Sequence, residues 1–497
     1  MVPTDVPDAP VEPAGPSRLA ERLWHCLQRV TVWQWMLVGL VAAYTSYFTK
    51  ITLEIHHGLG TAAYDFGLYD QGVWLLSRFK APFITLMGRN LFGDHTSFIL
   101  IFLVPIYWVF PSAGVLFFTQ ALMIGLGAVP VFLLGRKLLQ HEGLAVACAA
   151  AYLLHPAVGW TNRENFHPDA YIAVFVGFAI YGAVERRWRM YVIALVFALL
   201  VKEDASLVLV PLGVWVAVKR DRKIGLLTIG GCLSVMLVMM YGVMRSLIGV
   251  PTRNGWRIPF GGPGGLIKTT FTKPWKVAQH YWSDSRPFYF WQMTASAGWL
   301  FARAPSVALI SVVVLATNML STFWYQYHLE YHYSLVAVPA LVMGSVYAIS
   351  KLRAHWQPLA VVFLTLTAAL GGWAWGVLPF SRDLPRYWAA DHPVAVSARD
   401  IIQDIPANAS VSAHYAVTAH IDHREEIYMF PTPFYAELYG VDDSLGGTRL
   451  PAADRVEYVV LPMTMEPRLD AIWARESAAF ELVRQNEWWR LYHRSDN

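Results

Sequence analysis

Read for runs of apolar residues, the chain breaks into about eleven stretches of helical length: 32–50, 113–138, 143–160, 169–185, 189–202, 204–219, 224–247, 287–303, 305–325, 334–351 and 357–378. A bilayer core about 30 Å thick takes about 20 apolar residues per helix, so the pattern predicts a multi-span bundle. Two stretches, 189–202 and 204–219, are short and joined by Lys202-Glu203-Asp204. They predict a tight helical hairpin whose polar tip does not fully cross. Segment 95–110 is apolar but short, with Pro105 near its middle, and predicts an interfacial helix in the first outer loop. After residue 378 the period changes. A Pro- and aromatic-rich linker, 379–390, leads to a helical pattern at 394–403. Short β-like runs follow at Ser410–Ala413, Ile427–Phe430, Tyr458–Leu461 and Trp489–Tyr492, with a helical pattern at 468–484. Strands alternating with helices predict a small α/β sheet. The expected fold is therefore a polytopic α-helical membrane protein with a small C-terminal α/β domain. Its parts are an N-terminal tail, 1–31, a membrane module, 32–378, with long outer loops at 51–112 and 248–286, and a domain at 379–497.

Composition agrees. Residues are 56% hydrophobic and only 15% charged, against roughly 25% charged in soluble domains. That excludes a disordered or ordinary cytosolic chain. Cys26, Cys148 and Cys232 are too few and scattered for a disulfide framework or a metal site. The tail carries Arg18, Arg22 and Arg29, and no small-residue cleavage site follows the first apolar run, which reads as an uncleaved anchor.

The net charge of +4 hides a split. Through residue 378 there are 28 Lys and Arg against 17 Asp and Glu, and beyond it 11 Arg against 18 acids. With the N-terminus in the cytoplasm, every short inner loop carries Lys or Arg, as the positive-inside bias asks, and the C-terminal domain falls outside. Ten of the 13 acids between residues 50 and 378 then lie at the outer side. Ionisable groups at a membrane boundary are costly unless solvated, paired or functional, so the cluster marks an outward-facing cavity.

Several constellations could carry chemistry there. In the first outer loop, Asp65 and Asp70 could reach one cavity, where partial burial would suit a carboxylate to general-base work; Asp65 also reads as a helix cap and Asp70 as a surface acid. Asp94 and His95 precede the interfacial helix. Glu164 and His167 stand in a polar loop before Asp169, as possible metal ligands without a fixed third. Lys202 with Glu203 is either a self-paired tip or a cation for a phosphate. The segment from Arg245 to Arg286 holds seven basic residues, among them Arg253, Arg257 and Lys268, and one acid, Asp284. Its excess of positive charge outside suits an anionic ligand or lipid headgroups. His328 and His332, four apart with Glu330 between, predict one helical face lining a sugar pocket or an interface belt. The C-terminal segment shows no phosphate loop, nucleophile elbow or metal spacing, and reads as a binding or structural lid.

The stretches YDFGLYDQGVW, GDHTSF, ENFHPDA, LLVKEDASL and EYHYSL, with the segment from Ser397 to Pro431, resemble domain-of-unknown-function family 2079, a bacterial branch related to the GT-C glycosyltransferases. The resemblance covers roughly residues 35–497 and implies a GT-C-like fold in a bacterial plasma membrane. It implies transfer of a sugar from a polyprenyl-phosphate donor to an acceptor hydroxyl of a glycan, glycolipid or glycoprotein of the cell envelope, with inversion. The first-loop acid of the superfamily falls on Asp65 as base, with Asp70 as second choice or partner; many relatives have two adjacent acids where this chain has Asp65-Phe66. Lys202, Arg253, Arg257 and Lys268 would hold the donor phosphate. Asp94, His95, Glu164, His167, Glu203, His328, Glu330 and His332 would line the sugar or acceptor pocket. The partners implied are the lipid-linked donor, membrane lipids and the acceptor, with no nucleic acid, no metal and no cofactor. A transporter or flippase of lipid-linked sugars, or a non-catalytic envelope scaffold, is the competing reading. A transporter should show an inverted repeat in its hydropathy, and none is visible.

Overall fold

The computed structural model describes Gln28 and residues 30–495. The tail arginines Arg18, Arg22 and Arg29, and Cys26, lie outside the described residues. Helix α1, Val32–His57, opens with a capping box in which Thr31 accepts from the Gln34 amide and the Gln34 side chain accepts from the Thr31 amide. Helix α2, Leu68–Ser77, follows a sharp turn at Ala63–Gly67. A two-residue hairpin comes next, β1 (Phe83–Ile84) with β2 (Arg89–Asn90). The segment expected to form an interfacial helix carries a helical run, Phe98–Val109.

Helices then follow at Ala113–Leu139 (α3), Glu142–Leu154 (α4), Pro156–Arg163 (α5), Ile172–Val184 (α6), Trp188–Val201 (α7), Ser206–Lys219 (α8) and Arg222–Ile248 (α9). Beyond them lie Gly262–Thr272 (α10), Pro274–Tyr281 (α11), Arg286–Ala295 (α12), Val312–Leu320 (α13), Val338–Ile349 (α14) and Gln357–Trp375 (α15). Among the described residues, five helical runs are long and apolar enough to cross a membrane, and the α4–α5 pair makes a sixth if its 49° bend is one broken span. Pro156 explains the bend, since its ring and missing N–H interrupt the helical ladder. Helix α9 turns Leu226, Leu227, Leu233, Leu237 and Val238 outward, and α15 does the same with Leu359, Val362, Phe363 and Leu366. Those faces are what a lipid surround would cover.

Three expectations are corrected. Helices α7 and α8 are not a hairpin: α7 packs on α6 and α8 packs on α9, so the Lys202 break separates two helix pairs. At 14 residues each they rise about 21 Å, short of the hydrocarbon thickness, which leaves their shared break inside the module. The stretch 287–303 is not one helix, because α12 stops at Ala295 and the chain turns through Gly298 and Trp299 at positive φ. The loop 248–286 is largely helical, Pro263 taking a first-turn position in α10.

The C-terminal unit begins with Pro393–Ile402 (α16) and carries a five-stranded mixed sheet in the order β4-β3-β5-β7-β6. Strands β3 (Val411–Ala413), β4 (Ile427–Met429) and β5 (Tyr458–Pro462) are parallel; β6 (Phe480–Gln485) and β7 (Trp489–Arg494) run antiparallel. The helical pattern expected over 468–484 covers only Pro467–Glu476 (α17). Residues 480–485 pair with β7 instead, where every second backbone group finds a partner.

The unit shares a continuous apolar core with the helical module and keeps a second core around Tyr428, Phe434, Val459 and Trp473. It grips the first long loop. Gly440 donates to the Met87 carbonyl, and Arg89 donates to the Gly440 carbonyl at 2.7 Å. Gly88 sits at φ +67, and a Cβ there would come within 2.5 Å of the Tyr439 ring, so only glycine lets these segments meet.

Candidate active site

Asp65 stands at φ 66, ψ −81, close to a rare γ-turn geometry that costs about 1–3 kcal/mol in a non-glycine residue. The turn throws its carboxylate into a polar cavity of about 140 Å³, where its side chain keeps 47% exposure. Tyr64 beside it donates its hydroxyl to the Leu438 carbonyl of the C-terminal unit. The cavity wall also carries Tyr69, Arg89, Asp94, His167, Arg253 and His332. His95, Asp169, Lys202, Asn254, Arg257 and Tyr333 are shared with an adjoining cavity of about 330 Å³. This second space runs between α8, α9 and α13 and is mainly apolar, with Leu207, Met236, Met240, Ile258, Val314 and Leu320 in its lining.

The charges divide into paired and unpaired groups. Arg89 Nε lies 2.9 Å from Asp94 Oδ1, and Lys202 Nζ lies 3.1 Å from Asp169 Oδ1. His95 Nδ1 meets Glu203 Oε1 at 2.7 Å, while the Thr96 amide donates to Glu203 Oε2 at 3.0 Å. Glu203 is thus spent on fixing the Asp94–Thr96 segment. Among the described residues Arg253 and Arg257 make no ion pair. Arg257 is held over the Phe323 ring at 4.2 Å and donates to the Tyr333 hydroxyl at 3.3 Å. Two guanidiniums without carboxylates, Arg253 in the polar cavity and Arg257 where it joins the apolar one, form a place for an anion.

Behind Asp65, Gln120 of α3 accepts from the His167 amide at 2.8 Å and donates to the Asn165 carbonyl at 2.7 Å, pinning the loop. Glu164 accepts from the His332 amide and ring Nδ1, the latter at 3.0 Å. The His167 and His332 rings stack with centroids 3.7 Å apart. Among the described residues His167 Nε2 has no hydrogen-bond partner, and it stands 4.0 Å from Asp65 Oδ2. Loss of bulk hydration raises the Asp65 pKa above the ordinary carboxylate value; His167 opposes this, and Glu164 and Asp94 reinforce it. Burial pushes Glu164 up to about 7. Glu164, His167 and His332 hold ligand atoms within 4.8 Å of one another, a donor set able to take a divalent ion.

The predicted residues separate accordingly. Asp65, Asp94, His95, His167, Lys202, Arg253, Arg257 and His332 come together around the two cavities; Glu203 lines the larger one, and Glu164 backs His332. Asp70 does not join Asp65. Helix α2 turns it away, to Tyr107 and to His423 of the C-terminal unit. Lys268 is exposed on α10, outside both linings. His328 and His332 do not share a helical face, because the segment is two short 3-10 stretches, Trp324–Tyr327 and His332–Ala337, separated by a turn at 328–331. His328 bonds Ser285 and the Trp324 carbonyl, and Glu330 lines neither cavity. Arg89, Asp169, Asn254 and Tyr333 are wall residues the sequence reading did not single out for the site; only Asp169, as an acid at a span end, carried a signal.

The chain matches the family described as "Predicted membrane protein (DUF2079)" over residues 55–497. It belongs to that family. Among solved structures, it is similar to ArnT from Cupriavidus metallidurans bound to undecaprenyl phosphate, with TM-score 0.55, 14% identity, and coverage of 94% of this chain and 99% of that one. ArnT in the apo state gives TM-score 0.54, 14% identity, and coverage of 92% and 97%. At that identity the likeness is one of fold: this DUF2079 member is a multi-pass membrane protein with a GT-C-like architecture. No curated protein matches the chain.

Proposed function

We propose that this protein is a glycosyltransferase that moves a sugar from a polyprenyl-phosphate-linked donor to an acceptor hydroxyl at the outer face of the membrane, with Asp65 as general base. The observation that carries the reading is the meeting of an apolar and a polar cavity at Lys202 and Arg257. A polyprenyl tail fits the apolar side, where Leu207, Met236, Met240 and Val314 offer no hydrogen bonds. Its phosphate then lies at the shared wall, and the sugar reaches the side that holds Asp65. ArnT, whose fold this chain shares, was solved with undecaprenyl phosphate, which supports a lipid phosphate as the ligand class.

In this reading Asp65 Oδ2 takes the proton of the acceptor hydroxyl as its oxygen attacks the anomeric carbon. The bond from that carbon to the phosphate oxygen breaks with inversion, and the lipid phosphate leaves with the electron pair. Arg253, Arg257 and Lys202 stabilise the charge that grows on the leaving group. The raised pKa of Asp65 makes its ionised form a stronger base than an exposed aspartate. The N-terminus is cytoplasmic and the C-terminal unit lies outside, which puts this cavity on the outer side.

The test is a transfer assay with purified protein, polyprenyl-phosphate sugars and envelope acceptors. Consumption of donor with release of polyprenyl phosphate supports the reading. Flipping of the lipid-linked sugar across vesicles without any transfer overturns it in favour of a transporter.

A further inference from the structure

A second cluster of ionisable groups lies away from the cavities, where α2 meets the C-terminal unit. Asp70 Oδ1 accepts from His423 Nε2 at 2.9 Å and from the Tyr107 hydroxyl at 2.8 Å. Asp422, 3% exposed, brings its carboxylate to the same spot, and its Oδ2 is buried with no hydrogen-bond partner among the described residues. The three ligand atoms lie within 4.8 Å of one another. The neighbouring cation, Arg424, donates to the carbonyls of Ile421, Pro406 and Ala409, and it pairs with neither carboxylate. Two buried carboxylates with one imidazole, and no Lys or Arg in hydrogen-bond contact with them among the described residues, leave negative charge only partly compensated, which a low-dielectric site tolerates poorly.

We infer that Asp70, Asp422 and His423 form a divalent-cation site, of zinc-like chemistry, that ties the C-terminal unit to the helix following Asp65. Two carboxylates and an imidazole with an open fourth position are a donor set for zinc. Neighbouring ligand atoms on tetrahedral zinc sit roughly 3.3 Å apart, so the observed 2.9 Å between Asp70 Oδ1 and His423 Nε2 is already near a coordination edge. Tyr107 orients the Asp70 carboxylate from outside, as groups behind a metal ligand do. The His423 side chain is 30% exposed and borders a surface concavity with His420 and Ile421, which gives an ion its way in. The ion would clamp residues far apart in sequence, α2 and the segment after β3. The inference is independent of the transfer reading and stands if the protein moves no sugar.

The test loads detergent-purified full-length protein with Zn²⁺, removes loose metal by dialysis, and measures zinc per chain and Tm. Wild type should hold one equivalent more than Asp422→Asn and than His423→Gln, and zinc should raise Tm more in wild type than in either variant. The difference isolates this site from any ion held by Glu164, His167 and His332. Asp422→Asn keeps size and removes one of two like charges, so it should fold without metal; His423→Gln, at the exposed edge, gives a second measure. Equal zinc content and an equal Tm response in wild type and both variants would overturn the inference, leaving the carboxylates to share a proton.

Discussion

Lys202→Met is the perturbation whose size the structure constrains best. The Lys202 ammonium is 3.1 Å from Asp169, and the two side chains are 3% and 7% exposed. Removing the lysine leaves Asp169 buried without its cation, and breaking such a pair costs about 3–5 kcal/mol. At about 4 kcal/mol the folded-to-unfolded ratio drops by roughly a thousandfold. The double variant Lys202→Met with Asp169→Asn removes both buried charges and leaves only the half-exposed Asp204, 3.7 Å from the ammonium, without its cation; replacing a buried pair is neutral or stabilising by about 1–4 kcal/mol. The double variant should therefore recover the wild-type melting temperature in detergent while losing affinity for polyprenyl phosphate, because the phosphate loses one of its cations. Tryptophan fluorescence melts and lipid-phosphate binding, measured on the same preparations, separate the two effects. A double variant as unstable as the single one would refute the pairing. A stable double variant that binds lipid phosphate like wild type would refute the role of Lys202 at the phosphate.

Glu164→Gln should change how stability depends on pH. The Glu164 pKa of about 7 in the fold exceeds its ordinary 4.5, so the folded state binds the extra proton and stability falls as pH rises between those values. The variant should flatten that slope and gain about 3 kcal/mol above pH 7, read from Tm against pH; an unchanged slope would rule out Glu164 as its source. Tyr107→Phe removes a buried donor to Asp70 and should cost about 1–3 kcal/mol in thermal stability of metal-free protein, whereas a cost near zero would show that Asp70 has found another partner. For orientation, single cysteines at the exposed positions Lys268 and Arg187 should react oppositely with an impermeant maleimide in intact cells, Lys268→Cys labelling and Arg187→Cys not. The reverse pattern would invert the proposed topology.

The helical module was legible in the sequence because each apolar run must satisfy its own backbone, so hydropathy reports it directly. The Lys202 break was visible for the same reason: a charged triplet between two apolar runs has few places to go. Partnership between distant residues was not legible. Glu164 and His332 are 168 positions apart, and Asp70 and His423 are 353 apart, and no local spacing encodes either contact. Closeness in one loop is all that joins Asp65 and Asp70 in the sequence. The turn at Asp65 followed by α2 sends the two carboxylates to different sides, which depends on a positive φ that sequence does not announce at an aspartate. Residues 480–484 read as helix because their strand character comes from pairing with β7, a tertiary effect that overrides local pattern.

The central claim rests on Asp65, and its most direct test is Asp65→Asn in the sugar-transfer assay, with Tm and polyprenyl-phosphate binding checked on the same protein. Asparagine matches aspartate in size and tolerates positive φ, so the turn should survive while the base is lost. The account predicts a fall in transfer rate of about 10²–10⁴-fold with lipid-phosphate binding kept. A folded Asp65→Asn protein that transfers sugar at the wild-type rate would contradict it.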